Sequence, residues 1–223
     1  MHFSIDYTRK IIFGWSPKCG CTHIKNLFLF LTTGKVYNTQ DVHNLSLCNL
    51  PPNLLNYTIL LFIRNPYKRI ISGFLEKYKQ SGSCEHLWNI PIRLTFANFV
   101  NNLTYSRVID QHHFEPQINR LFFNRLYRIK KIIYDIENID YAYIENLYKI
   151  IIPDNVKMYR GDHCATAKKI TNYPLYDLLM REYADYKPTT RLFYNNHLKF
   201  KIDKYYALDF YFFKIFGFKY ELI

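Results

Sequence analysis

A chain of 223 residues, 49% hydrophobic and 22% charged, has the size and balance of one soluble globular domain, residues 1–223. Its five cysteines are too few and too scattered for a disulfide scaffold, and no apolar run approaches the roughly 18 residues of a membrane span. The formal charge of +12 leaves two readings open, an anionic partner (nucleotide, nucleic acid, acidic sugar or membrane surface) or a lysine-rich solvated surface.

The opening "MHFSIDYTRK" has no apolar core of a signal peptide, so a soluble, cytoplasmic protein is expected, or a lumenal one if the chain is a trimmed piece. "KIIFGW" (Lys10 to Trp15) predicts a buried strand. "THIKNLFLFLTT" then spaces Ile24, Leu27, Phe28 and Leu31 as a helix, with Thr22 at the cap. "YTILLFIRNP" (Tyr57 to Pro66) is a continuous apolar run, suited to a strand covered on both faces of a parallel sheet. "YKRIISGFLEKYKQSG" reads as the helix after it, stopped at Gly82. Two strand-loop-helix units therefore fill the first third, the α/β pattern in which ligands gather at the carboxyl ends of strands.

The middle predicts helices over "TFANFVNNL", capped by Thr95, and over "PQINRLFFNRLY". "KKIIYDIE" (Lys130 to Glu137) is a third strand, followed by a helix in "DYAYIENLYKI". "YPLYDLLMREYADY" and "KYYALDFYFFKIFGF" predict two helices near the C-terminus. No internal repeat or low-complexity linker interrupts this series.

The loop "SPKCGCTHIK" invites three chemistries. Cys19, Cys21 and His23 are soft ligands, but zinc sites pair Cys-x2-4-Cys with a distant second pair, and His163 with Cys164 fits that spacing poorly. A redox pair needs Cys-x-x-Cys, which is absent. The phosphate reading fits better. A tight turn at Gly20 entering a helix points several backbone N–H groups and the positive end of the helix dipole at one place. Lys18 adds a mobile cation, the Thr22 hydroxyl a donor and Lys25 a further charge. The P-loop string G-x-x-x-x-G-K-[ST] is missing, which disfavours a nucleotide kinase. "RNPYKRIISGF" offers a second phosphate site, with Arg64 at a strand end and Ser72 on the following helix. The alternative is that Arg64 pairs with a local carboxylate and Ser72 merely packs. Arg69, near Arg64, joins the same phosphate or forms a surface ion pair.

Lys18 in "PKCGCTHIK" followed by "RNPYKRIISGF" resembles the two cofactor motifs of sulfotransferases. "HHFEPQ" (His112 to Gln117) resembles a His-aromatic-x-Pro-Gln motif, and "YYALDFYFFKIFGF" a closing Tyr-x-x-Asp-Phe-x-x-Phe-Gly helix, of the Golgi carbohydrate group (chondroitin 4-O and HNK-1 type). The resemblance runs in order from about Ile11 to Phe218. It departs at Asn65, where Asp is common, at His23, and in the doubled histidine. It implies a P-loop-like three-layer fold with a central, mostly parallel sheet flanked by helices.

The resemblance further implies sulfuryl transfer from 3′-phosphoadenosine 5′-phosphosulfate (PAPS) to a glycan hydroxyl, with no metal and no nucleic-acid partner. Lys18 is then catalytic, at the bridging oxygen. The 5′-phosphate is cradled by the loop Lys18, Cys19, Gly20, Cys21, Thr22 and His23, and the 3′-phosphate by Arg64 and Ser72. His113 is the base for the acceptor hydroxyl, with His112 the alternative by register; Glu115 or Glu137 could serve instead, Glu137 as the weaker candidate. Arg120, Arg125, Arg128, Lys130 and Lys131 are candidate acceptor contacts or solvated helix faces. The competing reading is a non-catalytic basic module that binds nucleic acid or another polyanion.

Overall fold

The computed structural model describes residues 1–38, 41, 42, 44, 45, 47–79, 94–103, 108, 111–159, 172–178 and 189–222. The chain forms two compact units, Met1–Arg64 with Gln117–Cys164, and Asn65–Pro116 with Ala165–Ile223.

The first unit is built on one four-stranded sheet in the order β1-β2-β3-β4. β2 (Ile11–Trp15), β3 (Thr58–Ile63) and β4 (Lys130–Asp135) run parallel, with Trp15 opposite Phe62 and Ile63 opposite Asp135. β1 (His2–Asp6), which the sequence reading leaves unassigned, pairs antiparallel with β2 at the edge. All five residues of β2 and all but the first of β3 are buried, as their uninterrupted apolar runs require.

Alternation sends Ile11, Phe13, Trp15, Leu60, Phe62 and Tyr134 to one face. There they meet Ile24, Leu27, Phe28 and Leu31 of α1 (Cys21–Thr33). Further along, Ile144 and Tyr148 belong to the same cluster, and the chain between Asp140 and Lys149 supplies one more helix there. On the other face Phe3 of β1 packs its ring 5.4 Å from that of Phe122, which lies in the helix Arg120–Leu126. Helices thus cover both faces of a mostly parallel sheet, the α/β architecture expected.

Among the described residues the regular elements of the second unit are helices. α2 (Pro66–Phe74) starts as its sequence dictates: the Asn65 side chain accepts from Tyr67 N at 2.9 Å, and Pro66 fills the first turn. The helix continues as a π-turn over Leu75–Lys79, and Gly82 lies outside the described residues. α3 (Phe96–Leu103) is capped as expected, Thr95 Oγ1 accepting from Asn98 N at 3.1 Å. α4 is the Arg120–Leu126 helix of the first unit, and α5 (Tyr141–Tyr148) and α6 (Asp154–Lys157) follow it there. A helix that the sequence reading leaves unassigned, α7 (Asn196–Tyr205), ends where "KYYALDFYFFKIFGF" begins, and the helix expected over that stretch is α8 (Ala207–Ile215), separated from α7 at Tyr206. The helix expected over "YPLYDLLMREYADY" is not present in its described part, residues 173–178, which is irregular with a turn at Tyr176 and Asp177, and its remainder, 179–186, lies outside the described residues.

The core of this unit is aromatic. Phe74, Phe96, Phe99, Phe114, Phe193, Tyr194 and Tyr206 are buried together, and the Phe99 and Phe114 rings meet at 4.8 Å. Gly73 on α2 is what allows the Phe114 ring to approach. A Cβ there would lie 2.5 Å from the ring. Gly73→Ala is therefore expected to lower stability by about 1–3 kcal/mol, read by urea unfolding. An unchanged midpoint would show that the ring shifts freely.

Candidate active site

The carboxyl ends of β2, β3 and β4 gather the loop residues 16–20, Arg64 and the segment Ile136–Glu137. The loop between β2 and α1 carries two left-handed residues. Lys18 has φ 67 and Gly20 has φ 71. The second is open only to glycine here, since a Cβ on Gly20 would also lie 2.7 Å from the Ile136 side chain. Lys18 holds a conformation that ordinarily costs a side-chain-bearing residue, the kind of strain that clusters at working sites.

Gly20, not Thr22, is the N-cap of α1, and Cys21 is its first residue. This moves the expected cap by two positions: the left-handed glycine turns the chain into the helix without a side-chain cap. The first intrahelical bond runs from Ile24 N to Gly20 O at 3.0 Å. The N–H groups of Cys21, Thr22 and His23 therefore point out of the first turn, with the positive end of the dipole behind them. Cys21, Thr22 and His23 are half-buried. The His23 ring turns towards α5 and the chain beyond it. Its Nδ1 lies 3.2 Å from Tyr159 O and its Nε2 2.8 Å from the Tyr141 hydroxyl.

Arg64 follows the last residue of β3. Its guanidinium donates to Lys18 O at 3.1 Å and its Nε lies 3.7 Å from a Glu137 carboxylate oxygen, beyond hydrogen-bond length. Lys18, Arg64 and Glu137 are thus one cluster. The local-carboxylate pairing weighed for Arg64 is observed, with Glu137 as the partner.

The residue that organises this cluster is Gln117, to which the sequence reading assigned no role. Its side chain is 2% exposed. Oε1 accepts from Arg64 N at 2.9 Å and from Cys19 Sγ at 2.9 Å. Nε2 donates to Arg64 O at 2.9 Å. Its main-chain O accepts from Ser16 Oγ at 3.3 Å. The primary amide grips the main chain of Arg64 as a neighbouring strand would, one residue past β3, and ties it to the Lys18 loop. The signal for it was the "PQ" of the histidine motif. Cys19 is fully buried with its thiol given to Gln117. His163 and Cys164 lie outside the described residues, and among the described residues no three His, Cys, Asp or Glu side chains converge as a metal set.

Lys130 and Lys131 open β4 at the end of the strand remote from this cluster. Lys131 caps α4 instead, donating to Leu126 O at 2.8 Å, and burial lowers its pKa. Arg120, Arg125 and Arg128 are exposed.

Ser72, His112 and His113 belong to the second unit. Ser72 is half-buried on α2. His112 is exposed and His113 half-buried, both in the single 3-10 turn Gln111–His113, with ring centroids 3.9 Å apart. Arg69 is neither on the surface nor in a surface ion pair. It is 1% exposed and donates to the carbonyls of Glu115 and His113 at 2.8 and 3.0 Å.

The profile of a family described as "Sulfotransferase family" matches residues 1–217. Among curated proteins, the chain is 24% identical over 94 residues to carbohydrate sulfotransferase 11 of Rattus norvegicus, covering 35% of this chain and 27% of that protein. It is 25% identical over 92 residues to carbohydrate sulfotransferase 11 of Danio rerio, covering 34% and 26%. The match thus spans about a quarter of each curated relative's length. No solved structure matches.

Gln117→Leu keeps the volume but leaves the Arg64 N–H, the Arg64 carbonyl and the Cys19 thiol without their partner. The expected loss is about 2–4 kcal/mol of stability in urea unfolding. A loss below about 0.5 kcal/mol, the level of an ordinary surface change, would contradict the role given to this amide.

Proposed function

The chain belongs to the sulfotransferase family, and on that premise we propose that it moves the sulfuryl group of PAPS to a hydroxyl of a carbohydrate acceptor by in-line displacement, within one domain of residues 1–223. The reading is carried by the junction of Lys18 and Arg64. A strained cationic loop at a helix N-terminus is bonded to the arginine at the end of the neighbouring parallel strand, and two such cationic groups side by side support the reading of a donor with two phosphates.

The residues fit such a donor. The left-handed Gly20 turn, where a Cβ would collide with the Ile136 side chain, leads straight into the first turn of α1, whose backbone N–H groups are the donors offered to an incoming phosphate. In this reading the N–H groups of Gly20, Cys21, Thr22 and His23 and the Thr22 hydroxyl hold the 5′-phosphate, with Cys19 as the buried packing residue beneath them. Lys18 neutralises charge that develops on the bridging oxygen and the sulfuryl oxygens. Stabilisation of that kind in a preorganised site is commonly the largest catalytic contribution. Arg64 exchanges its contact with Glu137 for the 3′-phosphate, with Ser72 as the second ligand. PAPS supplies the activated sulfuryl group. His113, or His112 by register, takes the proton of the acceptor hydroxyl, work suited to a side chain that titrates near neutrality.

A carbohydrate acceptor is supported by the name of the relatives, matched over a short span. Among the described residues no helix is long and apolar enough to cross a membrane.

Isothermal calorimetry with adenosine 3′,5′-bisphosphate tests the reading. Wild-type protein is expected to bind, and Arg64→Ala to weaken binding by about 10- to 100-fold. Lys18→Ala is expected to lower kcat for transfer by about 100- to 1,000-fold. No binding at millimolar nucleotide would leave the polyanion-binding module as the better account. Binding unchanged by Arg64→Ala would overturn the 3′-phosphate role.

A further inference from the structure

We propose that Arg69 and Tyr206 are positioning residues that hold His113 for proton transfer by gripping three consecutive carbonyls around it, a role that rests on the reading of His113 as the base. Arg69 stands on α2, and Tyr206 at the break between α7 and α8. Arg69 donates from one terminal nitrogen to His113 O at 3.0 Å and from the other to Glu115 O at 2.8 Å. Tyr206 donates its hydroxyl to the carbonyl between them, Phe114 O, at 2.5 Å. The guanidinium also lies over the Tyr206 ring, 6.0 Å from its centroid. At the near end of the segment, Gln111 Nε2 donates to the Tyr205 hydroxyl at 2.9 Å.

The segment needs such a grip. It is one 3-10 turn, with Phe114 N and Glu115 N both bonded back to Gln111 O. Those two backbone bonds both end on Gln111 O, upstream of the carbonyls of residues 113–115. The grip is also expensive. Arg69 is 1% exposed and Tyr206 fully buried, and burying a guanidinium carries a desolvation cost that an apolar side chain of the same length avoids. Each terminal nitrogen gives one N–H to a carbonyl, and a side chain 1% exposed is poorly placed to meet a phosphate from solvent. What the cost secures is a fixed backbone under His113. Misplacing a reacting group by about 1 Å costs on the order of 100-fold in rate.

Tyr206→Phe keeps the ring and deletes only the donor. Arg69→Met, the harsher variant, is the second probe. Both are tested in the full chain, with labelled PAPS as donor and desulfated chondroitin as probe acceptor. Tyr206→Phe is expected to lower kcat about 10-fold, leaving KM for PAPS and the affinity for adenosine 3′,5′-bisphosphate within about twofold. In a His113→Ala background it is expected to do nothing further, because it acts through that ring. Hydrogen exchange at the Phe114 and Glu115 amides is expected to accelerate in Tyr206→Phe, a measurement that needs no acceptor. Equal losses of kcat in both backgrounds, weakened nucleotide binding, or unchanged exchange would each overturn the proposal. Should His113→Ala leave transfer intact, the positioning role falls with the base. Failure of wild-type protein to bind the nucleotide is a separate result, and it rejects the sulfotransferase reading itself.

Discussion

A parallel sheet ends its strands side by side but does not hold the loops that leave them. In the first unit that task falls to the side-chain amide of Gln117. It meets both main-chain polar groups of Arg64 and the thiol of Cys19 within 2.9 Å. Cys19 is fully buried and Arg64 half-buried, so a partner left unmade costs up to about 1–3 kcal/mol, most where water is fully excluded. With the amide in place, Arg64 is held where its guanidinium reaches Lys18 O, and Cys19 is held between the two left-handed residues of the loop. The strained Lys18 conformation persists because its neighbours on both sides are fixed. The cationic loop, the strand end and the helix N-terminus are three features of one local construction.

The second unit solves a related problem with a charged group. Its buried arginine serves the main chain of the Gln111–Glu115 segment, and an aromatic core surrounds the helices that carry the grip. In both units a short irregular stretch is stabilised by side chains that satisfy consecutive backbone groups. That is how loops can present reactive residues without the support of a ladder.

Much of the sheet was legible in the sequence because buried parallel strands leave a continuous apolar run. "IIFGW" and "TILLFI" sit where they were expected, and so does "KKIIYD", although only Tyr134 of its six residues is buried. β1 was not legible, since a five-residue edge strand carrying Ser4 and Asp6 has little apolar signal. α7 was missed for the same reason: only Leu198 and Ile202 of its ten residues are buried. Thr22 is a good capping residue, yet the left-handed Gly20 begins the helix before it. The site divides in the same way. Lys18, Gly20 and Arg64 announce themselves by type and spacing. Gln117 acquires its role only when segments about 50 and 100 positions away converge on it. Arg69 sits near Arg64 in sequence, which suggests a shared ligand, but its burial is a tertiary property that helical spacing does not reveal.

The central claim is that this loop and strand end serve sulfuryl transfer and not anion binding alone. The most direct measurement follows radiolabelled sulfate from PAPS into a panel of desulfated glycans incubated with the full chain. The account predicts label in a glycan with wild-type protein and loss of about 100-fold or more of that rate in Lys18→Ala. Nucleotide binding of wild-type strength with no label entering any glycan would contradict it.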